Sequence, residues 1–153
     1  MPGFVPAPLY QEILESVPIA CVDVVIEHKG KVLLVLRTNK PAQGEWWPPG
    51  GRILKGESIE QAAVRKVLQE TGLRIEIVKQ IGAYSTIFKD GPFSDLKTGV
   101  HTVNIAFLAR LVDEQQTVVM DSQSSEYGWF SVVPKNTHEY TLHVIKDSGV
   151  QLV

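Results

Sequence analysis

The sequence predicts an α/β fold: a mixed sheet with helices packed on it, in one domain. Blocks rich in Val, Ile and Leu recur at strand length along the chain. They outnumber the helical segments, and the helices are spaced among them. The length of 153 residues, with 44% hydrophobic and 21% charged, suits a single globular domain with a real core.

Leu9 to Ser16 reads as a short helix, stopped near Pro18. Ile19–Glu27 and Lys31–Arg37 read as strands, with His28-Lys29-Gly30 as the turn between them. Thr38–Trp47 is polar and contains Pro and Gly, so it is expected as loop, and Pro48-Pro49-Gly50-Gly51 as irregular backbone. A helix is expected over 59–71, because Ser58 with Gln61 matches a capping box and Gly72 fits the stop. Leu73–Val78 and Ile81–Phe88 are strand material, 89–99 a polar loop, and Val100–Val112 a long strand. Asp113–Ser125 is mostly loop, Tyr127–Val132 a further strand and Tyr140–Asp147 a last helix.

The net charge of −2 carries no nucleic-acid footprint and no membrane-surface patch. Residues 1–9 lack the pattern of an export signal, and no apolar run approaches the ~20 residues of a membrane span. A cytoplasmic protein is expected. Cys21 has no partner for an internal disulfide and lies in an apolar run, so a buried inert thiol is expected there.

Residues 50–73, GGRILKGESIEQAAVRKVLQETGL, carry the most information. At ~100° per residue, Ala63, Val64, Val67 and Leu68 fall on one side of the helix, and Arg65, Lys66, Gln69 and Glu70 on the other. The apolar side is expected on the sheet, and the charged side toward whatever the glycine loop encloses. Lys66 and Glu70 are four apart, as are Arg65 and Gln69, and such pairs also support helices with no functional role. Two glycines ahead of the helix let backbone approach a ligand closely.

The segment resembles the Nudix box: Gly, five residues, Glu, seven residues, then Arg-Glu-apolar-x-Glu-Glu-x-Gly-apolar. Gly51, Glu57, Arg65, Val67, Glu70, Gly72 and Leu73 stand at that spacing. The flanks LLVLR, WWPPGG and EYGWF are similar to the family too, so the resemblance covers roughly 19–132. It implies one Nudix domain over 1–153 with residues 1–18 as an N-terminal extension. It implies an α/β/α sandwich around a mixed sheet, and hydrolysis of a nucleoside diphosphate linked to another group. Two positions depart: Lys66 and Gln69 stand where the family pattern has Glu. A cluster of two or three magnesium ions is then poorly supported, because a lysine repels them, and one ion is expected instead.

The GDP-mannose mannosyl hydrolases show the same loss, and RTNKPAQGEWWPPGGR over 37–52 is similar to theirs. That branch consists of homodimers that use one Mg2+ and break the bond between sugar carbon and diphosphate. By position, the resemblance implies Gly50, Glu70 and Gln123 as metal ligands. It implies Arg37, Arg52 and Arg65 as contacts to diphosphate or leaving group, with Glu57 beside them in the catalytic set, and Asp23 near the sugar. Arginine suits that task, since it offers planar, charged donors to phosphate oxygens. Trp46 and Trp47 could stack on a base or sugar, or shield a sheet edge or dimer contact. Glu57 could equally brace the loop by pairing with Arg65.

The family's general-base histidine is replaced by Ser124, and a second histidine by Thr86. A neutral hydroxyl is a poor base. Glu126, Asp121, Glu57 and His101 are the alternatives, while His138 and His143 read as surface residues. Three functions therefore stand: a magnesium-dependent hydrolase releasing nucleoside diphosphate and sugar from a nucleotide sugar, an ordinary Nudix pyrophosphohydrolase of another nucleoside diphosphate derivative, and a non-catalytic nucleotide-sugar-binding module.

Overall fold

A computed structural model of the chain describes residues 4–120 and 124–152. The elements run α1 (Ala7–Ser16), β1 (Ile19–His28), β2 (Lys31–Arg37), β3 (Trp46–Trp47), β4 (Gly50–Arg52), α2 (Ile59–Thr71), β5 (Ile75–Phe88), β6 (Val100–Leu111), β7 (Ser124–Phe130) and α3 (Glu139–Ser148). Among the described residues this is an α/β fold of seven strands and three helices. The sheet is mixed: β1 runs parallel to β6, and the other pairs are antiparallel.

The path of the sheet is β3-β2-β1-β6-β5, with β4 on β1 and β7 on β2. The β1–β2 hairpin is paired only near its turn, at Glu27↔Val32 and His28↔Lys31. The start of β1 instead pairs with β4, through Cys21↔Arg52, Val22↔Gly51 and Asp23↔Gly50. The two strands therefore part as they leave the turn, and a cleft opens between them.

Alternation along β1 and β6 serves two cores. Val22, Val24, Ile26 and Phe107 pack with Ala62, Ala63 and Val67 of α2 on one face. Val25 and Ala106 pack with Tyr140, Val144 and Ile145 of α3 on the other. A smaller cluster seats α1 through Leu14 against Ile19 and Val100, with Tyr10 and Cys21 beside it.

β5 is one strand of 14 residues where two segments were expected. Its partner β6 has 12, and register shifts at Ile77/Lys79 and Gln80/Gly82 absorb the surplus as bulges. The polar Lys79-Gln80 pair reads as a break in sequence but is accommodated within a continuous ladder. Trp46 and Trp47 form a short strand on β2 instead of loop, and Gly50–Arg52 are drawn into pairing with β1.

α2 has the expected bounds. Ser58 Oγ accepts from the Gln61 N–H, Gln61 Oε1 accepts from the Ser58 N–H, and Gly72 ends the helix at φ +72°. Its inward face is the expected one only in part: Ala63 and Val67 are buried and Lys66 and Glu70 meet the glycine segment as expected, but Val64 and Leu68 are not inward. Ala62, Ala63, Val67 and Thr71 are buried, while Val64 and Leu68 are each 39% exposed. At ~100° per residue, Lys66 and Glu70 then fall in the middle of the inward arc. The charged pair looks into the protein, and two aliphatic side chains face out.

Candidate functional site and family

A pocket of about 330 Å³ occupies the cleft between β1 and β2 and extends under α1. Cys21 and Asp23 of β1, Thr102 and Asn104 of β6, and Thr86 and Phe88 of β5 line its floor. Arg37, Trp47, Gly50, Gly51 and Arg52 of β4, and Glu70 stand around them, and Tyr10 and Leu14 of α1 close one side.

Asp23 is 3% exposed and joins four elements. Its Oδ1 accepts from Trp47 Nε1 at 3.1 Å, and its Oδ2 from Asn104 Nδ2 at 2.8 Å and Tyr140 Oη at 2.7 Å. Burial pushes the Asp23 carboxyl up from the usual range, and the three donors pull the other way. The same contact, with burial foremost, drives the Tyr140 phenol far up. Asp23 also explains Gly50. A Cβ there would lie 2.1 Å from the Val22 carbonyl oxygen and 2.5 Å from Asp23 Oδ1.

From Asp23 a polar chain crosses the floor. Asn104 gives its amide N–H to Asp23, so its Oδ1 faces the other way and accepts from Thr102 Oγ1 at 2.7 Å. Thr86 and Thr102 are in close hydroxyl contact, and Thr86 also reaches Asn104 Oδ1 at 3.3 Å. Thr86 and Thr102 both donate toward Asn104 Oδ1, so the hydrogen bonds of the floor run toward Asp23.

The cations stand above this floor. Arg37 donates from Nε to the Pro41 carbonyl at 2.7 Å and lies 5.7 Å from the Trp47 ring centre. Burial lowers its pKa from the ordinary value, against the pull of Asp23 and Glu70. Arg52 lies 5.4 Å from the Tyr10 ring centre. Cys21 lies among them with its thiol pushed up to about 12, chiefly by burial.

Arg65 and Glu57 do not line the pocket. They form a two-pronged pair, Nε to Oε2 at 2.9 Å and Nη2 to Oε1 at 2.7 Å. Arg65 Nη2 also donates to the Arg52 carbonyl at 3.0 Å, and Glu57 Oε1 accepts from the Leu54 N–H at 2.7 Å. These bonds brace the segment between β4 and α2 and hold the end of β4 at Arg52. A positioning role, rather than contact with substrate, is what this geometry supports.

Trp46 stands in T-shaped contact with Phe130, ring centres 4.9 Å apart, away from the pocket. The tryptophan at the cleft is Trp47, since side chains alternate across β3. His138 is not simply a surface residue: it caps α3, accepting from the Tyr140 N–H, and lies 4.9 Å from the Trp47 ring. Of the alternative bases, Glu57 is committed to Arg65. His101 is on the opposite face of β6 from Thr102 and Asn104, and its buried Nε2 has no hydrogen-bond partner among the described residues. Glu126 is exposed, and Asp121 and Gln123 lie outside the described residues. The sequence reading missed Tyr10, Thr102 and Asn104. The last two had a signal, being polar residues at alternate positions of an otherwise apolar strand.

A NUDIX domain model matches residues 17–134. The chain belongs to the Nudix hydrolase family. It is 32% identical over 136 residues to the low-salt glycan biosynthesis protein Agl8 of Haloferax volcanii, covering 89% of this chain and 85% of that protein. It is 30% identical over 130 residues to an ADP-ribose pyrophosphatase of Methanocaldococcus jannaschii, covering 85% and 72%. The fold is shared with a MutT NUDIX hydrolase from Burkholderia pseudomallei, with a TM-score of 0.74 and 24% identity, over 86% of this chain and 98% of that one. Among the described residues no helix is long and apolar enough to cross a membrane.

Nudix hydrolases generally use divalent metal, typically Mg2+. The donors described in this Nudix domain do not fit an ion held by protein alone. Glu70 has Oε1 3.2 Å from the Lys66 ammonium, and its Oε2 accepts from the Gly50 N–H at 3.3 Å. Among the described residues no three His, Cys, Asp or Glu side chains stand together as a metal-ligand set. Gly50 and Glu70 are thus adjacent through the Gly50 N–H, and the carboxylate is already neutralised by a lysine.

Proposed function

We propose that this Nudix domain hydrolyses a nucleoside diphosphate sugar, with GDP-mannose the first candidate. The observation that carries the reading is one pocket with two chemistries. Arg37 and Arg52 stand on the side of β4, where a diphosphate would find charged donors. The floor offers the Thr86–Thr102–Asn104–Asp23 chain, whose acceptors suit sugar hydroxyls. A carboxylate has about four lone-pair sites, and Asp23 uses three, so Oδ1 keeps one for a ligand hydroxyl. Trp47 lines the same pocket, with Arg37 5.7 Å from its ring centre. The similarity to a glycan biosynthesis protein supports the same direction. A homodimer belongs to the proposal and is checked by sedimentation equilibrium.

The test is incubation with GDP-mannose and Mg2+, followed by separation of products. GDP with free mannose supports attack at the sugar carbon. No turnover across a panel of nucleotide sugars removes the reading. The similarity to an ADP-ribose pyrophosphatase favours a second reading, cleavage between the two phosphorus atoms. It predicts GMP with mannose 1-phosphate, or AMP with ribose 5-phosphate from ADP-ribose. Label from H2(18)O would then appear in a phosphate product rather than in the sugar.

A further inference from the structure

Lys66 stands where a family member has a carboxylate, and the structure gives it a specific place. It lies in the inward arc of α2 with its side chain 19% exposed, and pairs with Glu70, itself 17% exposed. Its stem runs directly beneath Gly51 of β4. A Cβ on Gly51 would lie 2.4 Å from Lys66 Cε and 3.1 Å from Nζ. Gly51 also has φ +154° and lines the pocket. Glycine at 51 therefore does two things: it lets β4 take a positive φ at this position, and it leaves the space through which the lysine reaches Glu70.

We propose that Lys66 is a built-in cation of the diphosphate site, standing in for a divalent metal. It holds Glu70 in the free protein and moves its ammonium to a phosphate oxygen when the diphosphate binds. This rests on the reading that the pocket takes a nucleoside diphosphate.

The charge balance supports it. Lys66 does not itself line the pocket; it lies behind Gly51 and is paired with Glu70, both of which do. Opposing Arg37, Arg52 and Lys66 are Asp23, whose charge is met by three donors, and Glu70, which Lys66 neutralises. Once the Glu70 carboxylate is counted against the three cations, the net charge matches that of the diphosphate in a nucleotide sugar. A lysine ammonium is a point charge on a flexible stem, so moving from a carboxylate to a phosphate oxygen nearby needs only rotamer changes. A divalent ion seeking Glu70 must first displace that ammonium and then tolerate it at close range.

The experiment titrates the full chain with inorganic pyrophosphate in EDTA by calorimetry, and separately with Mn2+ alone by electron paramagnetic resonance. Wild type is expected to bind pyrophosphate without metal. Lys66→Met should weaken that binding about 10-fold or more, and Lys66→Arg, which keeps the charge, by no more than about 3-fold. In the Mn2+ titration, Lys66→Met should bind at least about 10-fold more tightly than wild type, because Glu70 is released. Adding Glu70→Gln to Lys66→Met should abolish that Mn2+ gain, whereas Glu70→Gln alone should keep the pyrophosphate affinity of wild type. Pyrophosphate binding in EDTA that is absent from wild type, or unchanged in Lys66→Met, overturns the proposal, as does unchanged Mn2+ affinity. None of these measures turnover. A protein inert toward nucleotide sugars can still show Lys66-dependent pyrophosphate binding, and an active hydrolase can lack it.

Discussion

Replacing Asp23 probes the centre of the structure, because its carboxylate ties β1, β3, β6 and α3 together. Asp23→Ala leaves the Trp47 indole N–H, the Asn104 amide N–H and the Tyr140 hydroxyl without their acceptor. A buried donor left unpaired costs about 1–3 kcal/mol. Asn104 and Trp47 border the pocket, so water recovers part of that, and the Tyr140 hydroxyl can rotate. The expected loss is about 3–5 kcal/mol, the range for removing one partner of a buried charged network. Asp23→Asn keeps one acceptor oxygen, which can serve Asn104 and Tyr140, but sets an amide N–H against the Trp47 indole. Its expected cost is one lost donor, about 1–3 kcal/mol. Urea unfolding, followed by tryptophan fluorescence at a common m-value, measures both. Tyr140→Phe should cost about 1–2 kcal/mol in wild type and little once Asp23 is alanine, since the two are coupled. An Asp23→Ala loss under about 1 kcal/mol, or equal losses for Ala and Asn, would refute the hub.

Four further outcomes are expected. Arg65→Met should lower stability by only about 1–2 kcal/mol, because the Glu57 pair is partly open to solvent, yet should reduce kcat/KM by loosening the Arg52 end of β4. The Arg65 hydrogen bond lowers the Glu57 pKa, so its contribution is full above the ordinary value of 4.5 and disappears as pH falls through the lower folded value. The melting-temperature gap between wild type and Glu57→Gln should therefore close below pH 4.5, and a gap that widened there would contradict the pairing. Arg52→Met should raise KM for the nucleotide substrate about 10-fold to 100-fold with little change in melting temperature; an unchanged KM would remove Arg52 from the diphosphate. Cys21, with its thiol raised to about 12, should resist iodoacetamide at neutral pH in the native state and react once unfolded in urea; rapid native alkylation would show the thiol is activated.

Local signals in the sequence determined whatever depends on local chemistry. The Ser58–Gln61 capping box and Gly72 bound α2 at Ile59–Thr71, because each satisfies or ends the helix through neighbours a few residues away. Lys31–Arg37 was legible as a strand from its composition. The spacing of Gly51, Glu57, Arg65 and Glu70 carried the family, since those residues act within one loop and helix.

What the tertiary structure decided were matters of facing. Hydrophobic periodicity put Val64 and Leu68 toward the core, whereas burial of Ala62, Ala63 and Val67 turned Lys66 and Glu70 inward. A helical wheel holds no information about which arc meets the sheet when small alanines and a satisfied ion pair can occupy it. Trp46 and Trp47 are adjacent in sequence, and only the pairing of β3 on β2 sends one to Phe130 and the other to the cleft. The partners of Asp23 are 24, 81 and 117 residues away. No local pattern encodes such contacts; they arise because β1, parting from β2, must satisfy its buried carboxylate from whatever the parallel neighbour and the last helix bring beside it.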